Sequence, residues 1–600
     1  MSFPDLRSFL DRLVRDGDLV TIDAPVDPYL EAAEIHRRVI AAGGPALLFT
    51  SVKGSSFRLV TNLFGTPRRA ALAFGDRPLH LIRRIVELAE TLLPPTPRKL
   101  WNARDVGGEL LRIGTRRARR GPVVEHVDTD VRLDRLPVIT SWHEDGGPFI
   151  TLPLVYTTHP ERLGASNLGM YRMQVHDART TGMHWQIGKG GGYHYAVAEA
   201  RGENLPVTVF LGGPPALVLS AVAPLPENVP EVMLASLIAG RRLSQVVGEG
   251  VHPLMADAEF ALIGEVPPYE RRPEGPFGDH YGYYSLQHDY PVFNLHRLAH
   301  RTDAIYPATV VGKPRQEDFY IGDLLQELLS PLFPLVMPAV EALWSYGETG
   351  YHSLAAAIVR QRYKREAMAS AFRILGEGQL SLTKFLLVVD RHVNLKDFTI
   401  TLEHVLARTN PETDLYVFSN LSMDTLDYTG PRVNEGSKGV WLGLGDPVRD
   451  LPRTFSAPVV PPGVSDVQVF CGGCLVVGAR PFAEEPAAAA RLAADPAFAG
   501  WPLLVITDEP GRAASSPINF LWTTFTRFEP GSDIHAAGRE IVRNQISYRG
   551  PIAIDARIKP WYPKELTTRD DIAALVTRRW REYFPEGKVD MGDSEKAHLD

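Results

Sequence analysis

The chain has 600 residues, too many for one ordinary core, and domains of about 100–200 residues predict two to four of them. Hydrophobic residues make up 44% and charged residues 22%, which excludes a disordered, collagen-like or coiled-coil protein. Lys+Arg 64 against Asp+Glu 71 leaves a net charge of −7, so no strong field for nucleic acid or an anionic membrane is implied.

With only two cysteines, Cys471 and Cys474, a disulfide-built secreted fold is excluded. The N-terminus has no basic segment leading into an apolar one, and no stretch reaches the roughly 18 apolar residues of a membrane span. The expectation is a soluble cytoplasmic protein.

Gly 51 and Pro 49 point to many turns and short elements, hence α/β or α+β. Helical spacing over 4–15 and 29–42, with strands at Leu19–Ile22, 46–50 and 57–61, predicts an N-terminal α/β layer (1–120). Residues 76–120 read as peripheral helices, and Arg116, Arg117, Arg119 and Arg120 as a solvated linker face, since no aromatics interleave with them. From 121 to 317, short β runs (150–156, 207–211, Phe260–Val266, 292–298) around a helix at 229–242 predict an α+β, split-barrel-like domain. A Leu-rich connector helix is expected at 318–349. A C-terminal α/β domain (350–585) follows, with a helix at 351–374, strands at Phe385–Val389, 414–418 and Leu503–Thr507, and a last helix at 568–584. The tail 586–600 reads as disordered, and no internal repeat or low-complexity tract is evident.

Three clusters could carry chemistry. The first is Ser166-Asn167-Leu168-Gly169-Met170-Tyr171-Arg172, followed by Met183-His184-Trp185-Gln186-Ile187-Gly188-Lys189-Gly190-Gly191-Gly192-Tyr193-His194. Glycines around one lysine can expose backbone N–H groups beside a cation, the recipe for a phosphate site. A plain β-domain turn is the competing reading, and neither P-loop nor dinucleotide spacing is present. The second is Ala223-Pro224-Leu225-Pro226-Glu227-Asn228-Val229-Pro230-Glu231. Pro230 suits a helix start, and Glu231 is either a dipole-stabilising acid or a hard oxygen ligand for Mg²⁺ or Mn²⁺.

The third is Glu274-Gly275-Pro276-Phe277-Gly278-Asp279-His280, in which Gly and Pro exclude a helix and fix two acids on one loop. Paired carboxylates can separate their pKa values so that one holds a proton near neutral pH; solvated turn acids are the alternative. Cys471-Gly472-Gly473-Cys474 lies between β-type runs with no further zinc ligands at suitable spacing, so its cysteines read as structural.

In this order the clusters resemble the UbiD family of decarboxylases, which use prenylated FMN. The resemblance begins at Asn62-Leu63-Phe64-Gly65-Thr66-Pro67, is densest from 165 to 310, and ends near Lys559-Pro560-Trp561-Tyr562-Pro563. It implies an FMN-binding central domain flanked by the N- and C-terminal α/β domains. It implies that Asn167 and Glu231 hold Mn²⁺ (or Mg²⁺), with K⁺ an accompanying ion. Met170, Tyr171, Arg172, His184, Trp185, Gln186, Lys189 and Gly190 would contact the cofactor. Arg172, Glu274 and Asp279 would form the catalytic network. Gly188 departs from relatives that carry a histidine there, and His194 is the substitute third metal ligand considered.

The implied reaction is reversible, non-oxidative decarboxylation of an aromatic or α,β-unsaturated acid, in quinone biosynthesis on a hydroxybenzoate or naphthoate. The partners would be the acid, a flavin prenyltransferase that supplies the cofactor, and further copies in a homodimer or homohexamer. The alternative is a catalytically silent flavin-binding subunit of a larger assembly.

Overall fold

The computed structural model describes residues 2–91, 96–102, 104–110, 112–185, 190–225, 229–313, 315–363, 365–456 and 459–593. The chain divides into two compact units, Met1–Leu328 together with the C-terminal stretch from Glu565, and Leu329–Lys564.

In the first unit, Leu19–Ile22, Ala46–Phe49, Arg58–Thr61 and Ile305–Pro307 form a four-stranded sheet. Its helices follow the expected spacing: Leu6–Asp16 buries Leu6, Phe9, Leu10 and Leu13, is capped by the Asp5 side chain, and stops at left-handed Gly17. Next comes an antiparallel sheet with the path Thr180–Gly182, His288–His300, Phe260–Val266, Leu205–Leu211, Leu154–Thr158, Ser166–Met170. The 13-residue strand His288–His300 organises this sheet, because Thr180–Gly182 and Arg271–Glu274 both pair with it. The arginine-rich run partly forms the strand Thr115–Ala118, parallel to Leu243–Val246, with its first three side chains exposed.

The last helix, Asp570–Tyr583, belongs to the first unit rather than closing the C-terminal domain. It packs on Glu31–Ala41, where Arg38 donates to Ala573 O at 3.0 Å and the Tyr583 hydroxyl donates to Glu31 at 2.5 Å. The stretch after it is not a free tail up to 593: Val589 is buried, Trp580 Nε1 donates to its carbonyl at 3.2 Å, and Gly592 N donates to Arg38 O. The rest of the expected tail, 594–600, lies outside the described residues.

The second unit holds two five-stranded sheets, Val340–Ser345, Leu354–Val359, Phe385–Val389, Gly436–Gly443, Leu415–Leu421, and Val464–Cys471, Cys474–Ala479, Leu503–Thr507, Gln545–Asp555, Ile534–Val542. Numbered along the chain, both run 1-2-3-5-4, with antiparallel outer pairs and parallel inner ones. The topology is therefore repeated, contrary to the sequence expectation. The sequence trace is faint: Arg408-Thr409-Asn410-Pro411-Glu412-Thr413-Asp414-Leu415 matches Arg527-Phe528-Glu529-Pro530-Gly531-Ser532-Asp533-Ile534 only as R-x-x-P-x-[ST]-D-[LI]. In each, the aspartate side chain accepts the N–H of the residue before proline at 2.8 Å.

Two further expectations change here. Residues 351–374 are not one helix: Leu354–Val359 is a strand buried along its whole length, and only Glu366–Ile374 is helical. An Ala-rich run buried on both faces has no alternation to separate it from a helix. The connector is also broken, into Glu317–Leu329, short turns at Pro331 and Pro334, and the strand Val340–Ser345. Cys471 and Cys474 face each other across the hairpin turn Gly472-Gly473, both buried, and burial pushes the Cys474 thiol well up.

Candidate active site

Arg172 follows the strand Ser166–Met170, and its guanidinium is almost fully buried, with 9% of the side chain exposed. Nε donates to Glu274 Oε1 at 2.9 Å, Nη1 to Asp279 Oδ2, and Nη2 to Ser285 Oγ at 3.1 Å. The ring of Phe277 packs on the guanidinium with its centroid 4.6 Å from Cζ. Two carboxylates 107 and 102 positions away in sequence thus share one cation.

The loop that carries them is built for this. Gly275 has φ +97°, open to glycine, and is joined to Pro276 by a cis peptide. Its N–H donates to Gln174 Oε1 at 2.8 Å, and Phe277 N–H donates to Ser285 Oγ at 3.1 Å. Gly278 N–H is held by Asp145 Oδ1 at 2.8 Å, and Asp279 N–H by Tyr283 O at 3.0 Å. Asp145 also accepts the N–H groups of Trp142 and Ser141, at 2.8 and 3.1 Å. Burial pushes this carboxyl up to about 7 despite those three bonds and the nearby Arg172. Nothing in the sequence singled out Asp145, because its partners are backbone groups and leave no motif of side chains.

Electrostatics sort the acids. Burial alone would raise Glu274, but Arg172 and His184 outweigh it and bring it down to about 2. For Asp279, burial is likewise outweighed by His280 and Arg172, and it too falls to about 2. Glu274 Oε2 accepts from His184 Nδ1 at 2.7 Å, and burial followed by Arg172 lowers the His184 pKa, so the imidazole is neutral. With Nδ1 donating, Nε2 is an acceptor, and it has no hydrogen-bond partner among the described residues. The same holds for the buried donor Trp185 Nε1. His184 reaches Glu274 because Thr180–Gly182 and Arg271–Glu274 pair with successive parts of His288–His300 and meet there, Glu274 lying against Gly182.

At Tyr171, next to Arg172 in the chain, the hydroxyl accepts from Asn167 Nδ2 at 3.3 Å and from Gly191 N–H at 3.3 Å. Glu231, at the start of the helix Glu231–Ala239, accepts Leu168 N–H at 2.8 Å, and burial raises its pKa. A Cβ at Gly190 would lie 2.1 Å from Asn167 Oδ1, so only glycine lets the helix Gly190–Ala200 start so close to that amide. His194 Nδ1 is bonded to Thr157 Oγ1 at 2.8 Å, and Thr157 is the cross-strand partner of Asn167. Burial lowers its pKa to about 4. Among the described residues, no three His, Cys, Asp or Glu side chains gather as a metal cluster. Met170 is half-buried at the strand end, and Tyr171 and Trp185 are buried. Gln186, Gly188 and Lys189 lie outside the described residues.

Sequence models of the UbiD family, described as 3-octaprenyl-4-hydroxybenzoate carboxy-lyase, match 10–89 (N-terminal domain), 115–314 (Rift-related domain) and 319–443 (C-terminal domain). The chain belongs to the UbiD family. UbiD proteins are carboxy-lyases, and this chain is one. It is 50% identical over 588 residues to a Chlamydia pneumoniae protein named as a subunit of 4-hydroxybenzoate decarboxylase, covering 98% of this chain and 99% of that one. In fold it resembles the vanillic acid decarboxylase of Sedimentibacter hydroxybenzoicus, with TM-score 0.65 and 24% identity over 77% of this chain and 96% of that one. It also resembles a dimeric form of the UbiD-class enzyme HmfF from Pelotomaculum thermopropionicum, solved with prenylated FMN, with TM-score 0.61 and 23% identity over 76% of this chain and 97% of that one. The UbiD models end at 443, so the second copy of the five-stranded sheet lies beyond them. Among the described residues, no helix is long and apolar enough to cross a membrane.

Proposed function

We propose that this UbiD protein removes CO₂ reversibly from an aromatic acid of the hydroxybenzoate or naphthoate type, with prenylated FMN and Mn²⁺ (or Mg²⁺) bound beside Arg172. The observation that carries the reading is one buried guanidinium shared by Glu274 and Asp279. The residues fit the cofactor. His184 Nε2 and Trp185 Nε1 are buried polar atoms with no partner among the described residues, and Gly190 lets the helix Gly190–Ala200 start against the Asn167 amide. The Asn167 amide oxygen and the partly buried Glu231 carboxylate are the hard donors a divalent cation takes. Met170, Tyr171, Gln186 and Lys189 complete the proposed cofactor contacts, with K⁺ as an accompanying ion and His194 as the third metal ligand.

Prenylated FMN, when bound, supplies the electron sink that no side chain provides. The chain's own residues bind the acid and control its proton. The planar fork of Arg172 takes the substrate carboxylate. Two carboxylates already face that cation, so a third anion cannot enter unless one of them is neutralised. Glu274 is held ionised by His184 and Arg172 Nε. Asp279, which shares Nη1, is the acid whose pKa rises as the substrate competes for Arg172. It thereby acquires the proton it delivers to the carbon that has lost CO₂. In the reverse direction it takes that proton back.

The chain would receive its cofactor from a flavin prenyltransferase and work in the cytoplasm as a homodimer or homohexamer. The naming of its Chlamydia pneumoniae relative as one subunit of a decarboxylase supports association with other chains as well. The test is a screen of aryl acids by CO₂ release, on enzyme co-expressed with a flavin prenyltransferase and handled without oxygen. CO₂ and the matching arene from a hydroxybenzoate support the reading; flavin-loaded enzyme that releases CO₂ from no aryl or unsaturated acid overturns it.

A further inference from the structure

Each turnover of a decarboxylase consumes one proton: a carboxylate and a proton become CO₂ and a C–H bond. The group that delivers it must be recharged from water, yet Asp279 is closed in, with 8% of its side chain exposed, and its cation Arg172 with 9%. Glu274 is fully buried, and His184 keeps 7% exposure. One neighbour differs. His280 donates from its backbone N–H to Asp279 Oδ1 at 2.7 Å, and its ring Nδ1 lies 2.5 Å from the same oxygen. Its side chain is 26% exposed, so water reaches part of a residue whose ring Nδ1 lies on Asp279.

The surroundings keep that ring in place. Asp279 N–H is bound to Tyr283 O at 3.0 Å and Gly282 N–H to Asp279 O at 2.9 Å, which locks the turn holding both residues. The Tyr281 ring packs beside the imidazole at 4.8 Å between centroids. Asp318, at the start of Glu317–Leu329, is a second acid within electrostatic reach of both His280 and Asp279. Two carboxylates thus act on the imidazole, and Arg172 is bound to the nearer one.

We propose that His280 is the proton relay of this site, passing protons from water to Asp279 between turnovers. Asp279 gives its proton to the substrate carbon and becomes a carboxylate. Water first protonates the ring, and the resulting imidazolium passes its Nδ1–H to Oδ1; the ring is left neutral, and exchange of its remaining N–H with water restores the Nδ1–H form for the next turnover. His280 acts through Asp279 and touches no reacting atom. The inference rests on the proposed reaction and on Asp279 as its donor.

The test uses holoenzyme co-expressed with a flavin prenyltransferase, with 4-hydroxybenzoate as the acid and phenol as the product. His280→Asn keeps a donor toward Asp279 but cannot relay. It should lower kcat about 100-fold, within the range for acid–base groups, with KM, flavin content and Tm unchanged. Added 4-methylimidazole should restore much of the rate, and exchange of the phenol ring hydrogens in deuterium oxide should slow in parallel. His280→Gln should behave the same way. A kcat within about twofold of wild type in both variants, with Asp279→Asn inactive, overturns the relay but leaves the reaction standing. A loss that imidazole does not rescue and that follows lowered Tm or flavin content in both variants also overturns it, as a structural role. Full activity in Asp279→Asn overturns the underlying donor assignment instead.

Discussion

Both units bury an arginine among carboxylates, and the two arginines are finished differently. Arg557 in the second unit is fully buried, and every donor is used: Nε and Nη2 on Asp555 at 2.9 and 2.6 Å, Nη1 on the carbonyls of Arg480 and Glu485 at 2.7 and 2.9 Å. Nearby Lys559 places its three protons on Arg527 O, Asp533 and Asp555 O at 2.9, 3.0 and 2.7 Å. Around Arg172, one cation faces two ionised acids and a neutral histidine, and polar atoms of His184 and Trp185 have no partner among the described residues. A buried charge is therefore no sign of function by itself. Uneven charge together with unfilled hydrogen-bonding capacity is what distinguishes a site that takes up another molecule from one that only holds the fold.

The largest effect is expected from Asp279→Asn, which should cut CO₂ release by about 10²–10⁴-fold while the purified protein keeps its flavin absorbance and its Tm. Arg557→Ala should do the converse, lowering unfolding free energy by about 3–5 kcal/mol in a denaturant titration, because Asp555 is left buried without its cation. If Arg557→Ala cost activity at full stability, the division between the two arginines would fail. Gly190→Ala should come next. Its methyl carbon would lie 2.1 Å from Asn167 Oδ1, and the overpacking, about 1–3 kcal/mol, should appear as weakened retention of flavin and of bound manganese in the purified protein.

The most gradual effect concerns Asp145. Its folded pKa of about 7 lies above the ordinary 3.8, so between those values the folded chain holds a proton that the unfolded chain has lost. The stability this contributes is present below about 3.8 and disappears as pH rises through about 7, with a slope of at most about 1.4 kcal/mol per pH unit. Asp145→Asn should flatten that part of the Tm-against-pH curve between pH 5 and 8, measured by calorimetry. An unchanged curve would show that the carboxyl is not held protonated.

Much of this site was legible in the chain. The Glu274–His280 segment reads as a fixed loop because Gly and Pro exclude a helix, and Asn167, Arg172 and Glu231 stand out through their company. Asp145 and His280 were not legible as parts of one network. Asp145 works by accepting backbone N–H groups, and His280 acquires meaning only when the turn at Gly282 folds its ring onto Asp279. The neutral state of His184 depends on burial, which spacing does not reveal. In the fold, amphipathic helices such as Leu6–Asp16 were readable, whereas Leu354–Val359 was not, because a strand buried on both faces shows no period. The repeated sheet escaped because topology has outlasted sequence there, leaving a short R-x-x-P-x-[ST]-D-[LI] pattern. The helix Asp570–Tyr583 was misplaced because its partner, Glu31–Ala41, is more than five hundred residues away.

The central claim is that Arg172, Glu274 and Asp279 act on the acid as one unit. A double-mutant cycle measures this directly: kcat for CO₂ release from flavin-loaded wild type, Glu274→Gln, Asp279→Asn and the double variant. Cooperation predicts that the double variant is scarcely slower than the worse single variant. Losses that multiply, each residue contributing its own factor regardless of the other, would contradict it.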